Sequence, residues 1–535
     1  MAYTSLTFLV FLAIVIVAYY LAPKKYQWTV LLVASYVFYL FSGISQVLYI
    51  IWTTLFSYGS ALLMQRIRDR FKEQQNALGS EVTKEQKKEM KKAVGKRIRI
   101  IQVFTVVVNL GVLAYVKYLD FFIGNLNSLF SLFKWDASLP MINVMAPLGL
   151  SYFTFNSIGY LVDVGRGKYA AERNLGKFAL FTSFFPSIVQ GPLMRYADVG
   201  TQLQTPHDFK YDNLKFGAQL MLWGFFKKLV IADRVAPIVS TVFAPGFEYT
   251  GTHVIFGVLA YSFQIYCDFS GGVDITRGAA QMMGIDLPMN FARPFFATSL
   301  GDFWRRWHMS LGAWMREYVF YPIMLCKPVQ GLSKKFRKQY GAYAGKIVPS
   351  VAAPLVVFFL IGIWHGLTWQ YIVNGLYHAI LIAASVACGP LFAKMVEVLH
   401  VNTEKFSFRL FQMFRTFILV CISRIIVKAP SLAEAGRMLK SVVTSADLAF
   451  ITGRDGTMFV DYGISRKGML VVAVSIMVLF VIGVLQERGV KIRESLSRRN
   501  IIVRWGLILL LLAVVLVFGI YGPGYNAKDF IYGAF

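Results

Sequence analysis

The chain has 535 residues, of which 56% are hydrophobic, 16% aromatic and only 16% charged, with a mean hydropathy of +0.55. Soluble globular chains sit near 45–50% apolar with about 25% charged, so this composition excludes an ordinary soluble domain and points to lipid as solvent. The formal net charge is +27, but the basic residues gather between apolar runs, which makes them a topology signal and leaves no expectation of a nucleic-acid partner.

A helix needs about 20 apolar residues to cross a hydrocarbon core of about 30 Å. In chain order the candidate runs are Leu6–Leu21, Trp28–Phe41, Val47–Met64, Ile101–Ile123, Leu148–Val162, Phe178–Met194 and Phe216–Ile231. They continue with Val254–Tyr266, Pro354–Trp364, Tyr371–Ala387, Phe411–Ile426, Met469–Leu485 and Trp505–Ile520. The pattern predicts an all-α, polytopic membrane protein with about eleven to thirteen helices, not all of them full spans. The first run has no basic start and a second follows almost at once, so it is not expected to be a cleaved signal.

Lys and Arg concentrate in Arg66–Arg99, Arg166–Lys177, Lys327–Lys346 and Arg488–Arg504. An excess of basic residues in short loops marks the cytoplasmic side, and counting crossings from these loops places both termini outside. The expected organisation is one membrane domain over residues 1–521, with cytoplasmic basic loops at 66–100, 327–348 and 488–504, and an extracytoplasmic tail at 522–535. Lys84–Arg99 has helical spacing and reads as a solvated or headgroup-facing helix. The polar stretch Ala429–Lys467 predicts a short helix, with Ser431 as its N-cap, followed by a loop. Cys267, Cys326, Cys388 and Cys421 show no paired spacing, so neither zinc nor a disulfide frame is expected, and no metal site.

Chemistry is sought where polar residues enter apolar surroundings, because burying them costs free energy that structure alone seldom explains. Three of the six histidines fall within seventy residues: His308 in DFWRRWHMSLGAW, His365 in FFLIGIWHGLTW and His378 in NGLYHAILI. His378 reads first as a histidine with one satisfied hydrogen bond between helices. His365 follows an apolar run with no obvious counter-ion. Burial without an anion keeps an imidazole neutral, the form a general base needs, although a packed histidine fits the same residues. His308 lies among Asp302, Trp304, Arg305, Arg306, Trp307 and Trp314. If that segment is one helix, Trp304, Trp307, His308 and Leu311 share a face. It suits both an interfacial helix and a site for a thioester-linked or phosphorylated donor.

At these residues the sequence resembles a known family. The run ARPFFATSLGDFWRRWHMSLGAWMREYVFYPI, followed by IGIWHGLTWQYIVNGLYH, is similar to the signature of the membrane-bound O-acyltransferase family. The likeness is to its bacterial branch, which serves alginate O-acetylation and, at greater distance, D-alanyl transfer to teichoic acid. PLGLSYFTFNSIGYLVDV, FPSIVQGPLMRY, YCDFSGGVDITRGAAQMMGI and VKAPSLAEAGRML extend the resemblance over nearly the whole chain. It implies a ring of helices around a thinned centre, with a funnel bringing donor and acceptor together from opposite faces. It implies that His365 is the essential residue of acyl transfer and His308 the second histidine of the site, with Trp304, Arg305, Trp307 and Trp364 around the substrate. The donor would be an acyl-CoA or acyl carrier protein thioester, with no bound cofactor. The acceptor would be an envelope polysaccharide, and acetyl is the usual cargo of this branch.

The resemblance also reaches the end of the chain. Members of the branch, or small partners of theirs, end in an F-x-Y-G-x-F motif, and here residues 530–535 read FIYGAF. The implied role is a relay in which Tyr532 receives the acyl group near His365 and passes it to an extracytoplasmic serine esterase-like partner. A deprotonated phenol is a competent nucleophile, and a phenyl ester remains activated toward a serine. An aromatic end packing on headgroups is the plainer reading. Among weaker motifs, Asp268, Ser270, Asp274 and Arg277 either line the funnel or pair with Arg293 or Arg305. Gln190 and Arg195 sit in an F-P-x-x-x-x-G-P-x-x-R element read as a helix break lining a cavity. Two readings from other classes stand beside the enzyme: a transporter or flippase for a lipid-linked saccharide, and a non-enzymatic scaffold for a polysaccharide synthase.

Overall fold

The computed structural model describes all residues except 78–82, 145–146, 247, 249, 446–461, 523–524 and 526–535. Among the described residues the chain is helical, and the sole isolated extended pairing is an antiparallel bridge between Phe291 and Trp307. It divides into two compact units, Met1–Gly217 with Ala279–Pro288, and Ala218–Gly278 with Met289–Phe535.

The first unit holds α1 (Leu6–Leu21), α2 (Gln27–Leu40), α3 (Ile44–Ala77), α4 (Lys84–Leu132), α5 (Leu150–Arg166), α6 (Leu175–Ser183) and α7 (Thr201–Gln204). Ser5 caps α1 by accepting from the Phe8 amide. Thr83 and Gln86 form a capping box at the start of α4, which satisfies two amides that the first turn leaves without partners. That helix runs for 49 residues, so the basic stretch Lys84–Arg99 and the apolar run after it form one continuous rod. Helix α5 is buried along almost its whole length. Polar side chains join helices within this unit: the hydroxyls of Thr54 and Thr182 are 2.9 Å apart, and Asn109 donates to Ser57 over 3.1 Å. Such contacts are a usual means of association where lipid tails supply no hydrophobic drive.

The expected run Phe178–Met194 is helical only to Ser183, after which residues 184–195 leave the helix. Pro186 and Pro192 account for the change, since proline removes a backbone donor and clashes with the preceding turn.

The chain continues through α8 (Tyr211–Phe225), a π-helical stretch (Phe226–Ala232), α9 (Asp233–Val242) and α10 (Gly251–Met282). Two short helices follow, α11 (Leu300–Arg306) and α12 (Met309–Met315), then α13 (Tyr321–Leu325), α14 (Lys327–His365) and α15 (Trp369–Ala387). The remaining elements are α16 (Gly389–Val398), α17 (Phe406–Lys428), α18 (Leu432–Thr444), α19 (Arg466–Glu487), α20 (Ile492–Ser497) and α21 (Ile501–Phe518). Ser431 caps α18 as expected, accepting from the Glu434 amide at 3.1 Å. The basic stretch from Lys327, expected as a loop, is helical instead. Gly341 interrupts α14 with φ 90°, and beyond it the Ser333 hydroxyl donates to the Gly345 carbonyl, so the two arms fold back on each other.

Eight helices among the described residues are long and apolar enough to cross a membrane: α3, α4, α10, α14, α15, α17, α19 and α21. The chain is an all-α, multi-pass membrane protein. Leu470, Met477 and Phe480 of α19 and Leu510, Leu516 and Val517 of α21 stand exposed, which is costly in water and natural against lipid.

Candidate functional site

The site is assembled within the second unit by two local devices. The first is a tight hairpin of α14 and α15. A Cβ on Gly375 would lie 2.4 Å from the Phe358 carbonyl oxygen, and one on Gly362 would lie 2.6 Å from that of Tyr371. Only glycine permits the two backbones this approach, the device membrane helices use to pack closely. His365 is the last residue of α14, at the tip of this hairpin, and its ring stacks on Tyr371 with centroids 6.0 Å apart and planes 18° apart.

The second device is the segment from Asn290 to Met315. The Ala292 amide donates to the Arg306 carbonyl (2.9 Å) and the Met309 amide to the Asn290 carbonyl (3.0 Å), flanking the bridge of Phe291 with Trp307. This pairing stops α11 at Arg306 and places His308 in the left-handed region, φ 47° and ψ 52°, as the N-cap of α12. A non-glycine residue there is held against a backbone preference, a condition that collects at functional sites. The single helical face of Trp304, Trp307, His308 and Leu311 expected from spacing therefore does not form: the helix is broken between the tryptophans and Leu311.

The two devices meet at one indole. The Trp364 ring centroid lies 4.7 Å from that of His365 and 6.0 Å from that of His308. His308 is 2% exposed, with the edge of Phe269 against its ring at 4.8 Å. It lies outside the candidate spans, and burial, with a smaller contribution from His365, pushes its imidazole well below the ordinary histidine range, so it is neutral. Its Nδ1 faces the Asn290 Oδ1 at 3.2 Å.

The other expected residues divide. Trp304 donates its indole N–H to His378 Nδ1 at 3.4 Å, and His378 Nε2 lies 2.8 Å from the Ser423 hydroxyl, which donates to Asn374 Oδ1 at 2.6 Å. The chain has one direction: Nδ1 accepts, so Nε2 donates, and Ser423 is not deprotonated by this histidine. His378 is the satisfied interhelical histidine expected of it. Trp307 is buried, stacked on Phe303 at 5.5 Å with the Arg424 guanidinium 5.5 Å from its ring centre. Arg305 is exposed and reaches only as far as Asp302, 3.5 Å away, whereas Arg306 bridges Asp302 to Glu487.

Asp268 and Asp274 are paired, though not with the expected arginines. The π-helical stretch buries both Lys227 and Lys228, and close contact of Gly224 with Gly271 brings them to α10. Lys228 binds Asp268 at 2.5 Å and Asp233 at 2.8 Å, and Lys227 binds Asp274 at 2.8 Å. Arg293 pairs instead with Glu487 at 2.9 Å. Beside this cluster the end of α21 is tied down: the Ile520 amide donates to the Leu229 carbonyl at 3.1 Å, and the Tyr525 hydroxyl to Asp233 at 3.0 Å.

Gln190 and Arg195 belong to the first unit. Gln190 is 1% exposed, and neither polar atom of its amide has a partner among the described residues. Tyr532 lies outside the described residues. Asn290, Tyr371, Lys227 and Lys228 were not singled out from the sequence. The signal was there for the lysines, two adjacent cations inside an apolar run. For Asn290 there was none, since its role depends on a contact eighteen residues away.

The profile of MBOAT, the membrane-bound O-acyltransferase family, matches residues 169–426, a stretch containing all three histidines. An alginate O-acetylase, AlgI, of Pseudomonas syringae pv. tomato is 31% identical over 448 residues, covering 84% of this chain and 76% of the relative. A peptidoglycan O-acetyltransferase of Helicobacter pylori is 27% identical over 371 residues, covering 64% of this chain and 65% of its own. A teichoic acid D-alanyltransferase of Bacillus subtilis is 32% identical over 250 residues, covering 45% and 60% respectively.

Proposed function

The chain belongs to the membrane-bound O-acyltransferase family, and from that premise we propose that it carries an acyl group, acetyl by its resemblance, from a cytoplasmic thioester to a polymer of the cell envelope. The observation that carries this reading is the meeting of His308 and His365, from separate helices, on the ring of Trp364. Two imidazoles among aromatic rings supply a base and little else, which suits transfer between a thioester and a hydroxyl. Acyl-CoA or an acyl carrier protein serves as donor, and the basic segments, read as cytoplasmic, favour either anion. Trp304, Arg305, Trp307 and Trp364 are the proposed contacts of the substrate, with Asp268 as a secondary one.

In the proposed step the phenol oxygen of Tyr532 attacks the thioester carbonyl while the histidine pair accepts its proton. The tetrahedral oxyanion collapses, the C–S bond breaks and the thiolate leaves, taking up a proton. A serine esterase-like partner outside the membrane then accepts the acyl group from the phenyl ester, restoring the phenol, and delivers it to the polysaccharide. The docking of Ile520 and Tyr525 on the lysine cluster supports the relay by anchoring the chain seven residues before Tyr532. Both termini lie outside in this reading.

Mass spectrometry of the tryptic peptide after Lys528, from cells lacking the outer partner, tests it. Acyl mass on Tyr532 that disappears in His365→Ala is the expected result. An unmodified peptide in both would remove the relay, with direct transfer to the acceptor remaining.

A further inference from the structure

The base in this site has two imidazoles and four ring nitrogens to choose from, and the surroundings of His308 reduce that choice. Asn290 Oδ1 receives the backbone amide of Ser310 at 3.0 Å. A backbone N–H only donates, so this contact identifies the atom as the amide oxygen and settles which way the Asn290 side chain is turned. The same oxygen faces the Ser310 hydroxyl at 2.9 Å and His308 Nδ1 at 3.2 Å. An amide oxygen has lone pairs and no hydrogen. A lone pair on Nδ1 would oppose it in a buried site, so Nδ1 carries the hydrogen.

We propose that Asn290 is a positioning residue that holds His308 as its Nδ1–H tautomer, which makes Nε2 the nitrogen that takes up a proton. Asn290 is itself fixed in place. Its backbone carbonyl accepts from Met309, the next residue forms the bridge to Trp307, and its side chain is 1% exposed. Its Nδ2 is buried without a partner among the described residues, so the amide's contribution here comes through its oxygen. Phe269, Trp364 and Asn290 stand against the imidazole, and the titratable group acting on it is His365. A neutral imidazole with one nitrogen committed to a fixed acceptor has its basic nitrogen assigned, the arrangement by which second-layer groups set the roles of histidines. The proposal rests on the acyltransferase reading for its consequence, and on geometry alone for the tautomer.

The test therefore has two arms on the full-length chain in lipid. Solid-state nitrogen NMR of protein labelled at histidine, with His308→Ala to assign the resonance, reads the tautomer without any substrate. The expected result is a protonated Nδ1 and an unprotonated Nε2 on His308, changing to a mixture or to Nε2–H in Asn290→Ala. A wild-type His308 bearing its hydrogen on Nε2, or a spectrum unaltered by Asn290→Ala, overturns the proposal. The second arm measures base-labile acyl groups on the envelope of cells carrying each variant. Asn290→Ala lowers them at least about tenfold at unchanged protein level, while Asn290→Asp, which keeps the acceptor, restores transfer. Equal loss in both variants would make Asn290 merely structural. If instead the tautomer is as proposed and His365→Ala leaves the acyl groups in place, the acyltransferase reading fails and the assignment of His308 stands.

Discussion

Two clusters of buried and part-buried polar residues lie in the second unit, and they are built on opposite principles. Around the π-helical stretch, Lys227, Lys228 and Arg277 face Asp233, Asp268 and Asp274, so that charge is matched by charge at close range. Around Trp364, His308 and His365 meet among aromatic rings, and a fixed polar partner of His308 is the neutral amide of Asn290. In a matched ionic cluster the charges are compensated chiefly by one another. The buried imidazole of His308 and the ring of His365 beside the same indole have no carboxylate among the described residues matched to them in this way, which suits taking up and returning a proton. Burial of a polar group thus marks either structure or chemistry, and what distinguishes them is whether the group's capacity is used up by the protein.

The comparison breaks most visibly if each region is disabled in turn. His365→Ala is expected to lower envelope acylation by about 100- to 10,000-fold, the usual contribution of a positioned base, with the protein still present at normal level by immunoblot. Lys228→Ala leaves the buried Asp268 and the part-buried Asp233 without this cation and should cost about 3–5 kcal/mol of stability, seen as loss of folded protein and a lower melting temperature in detergent. Adding Asp268→Asn to it should recover part of that loss, whereas no second substitution in the ionic cluster should rescue His365→Ala. Gly375→Val drives a side chain into the Phe358 carbonyl, 2.4 Å from the position of a Cβ. A cost of about 1–3 kcal/mol is expected, together with reduced transfer, because the hairpin that carries His365 must open. The smallest effect belongs to Ser423→Ala, which leaves the His378 Nε2 donor without its acceptor and costs about 1–3 kcal/mol in melting experiments, with acylation retained.

Much of the architecture was legible because lipid makes hydropathy a strong signal. Leu6–Leu21 matches its helix end to end, Tyr371–Ala387 differs from α15 by two residues at one end, and the Ser431 cap forms where its spacing placed it. Two of the errors come from contacts distant along the chain. Nothing local in DFWRRWHMSLGAW announces that Asn290 and Ala292 will pair with its backbone and end the helix at Arg306. Lys227 and Lys228 vanish into the average of the run Phe216–Ile231, so the sequence offers the carboxylates of α10 only the funnel or the more conspicuous Arg293 and Arg305. The basic stretch after Lys327 reads as a loop because Lys and Arg gathered between apolar runs mark a cytoplasmic connection, yet lysine and arginine are good helix formers. The histidines themselves were found from sequence; their meeting on Trp364 required the hairpin glycines and the bridge at Trp307.

One measurement addresses directly whether the histidine pair is the place of transfer. Base-labile acyl groups released from the envelope are quantified in cells carrying the wild-type chain, His365→Ala and Lys228→Ala, each normalised to folded protein recovered from the membrane. Acylation per folded molecule should disappear for His365→Ala and persist for Lys228→Ala. Persistence in His365→Ala at full protein level would contradict the account.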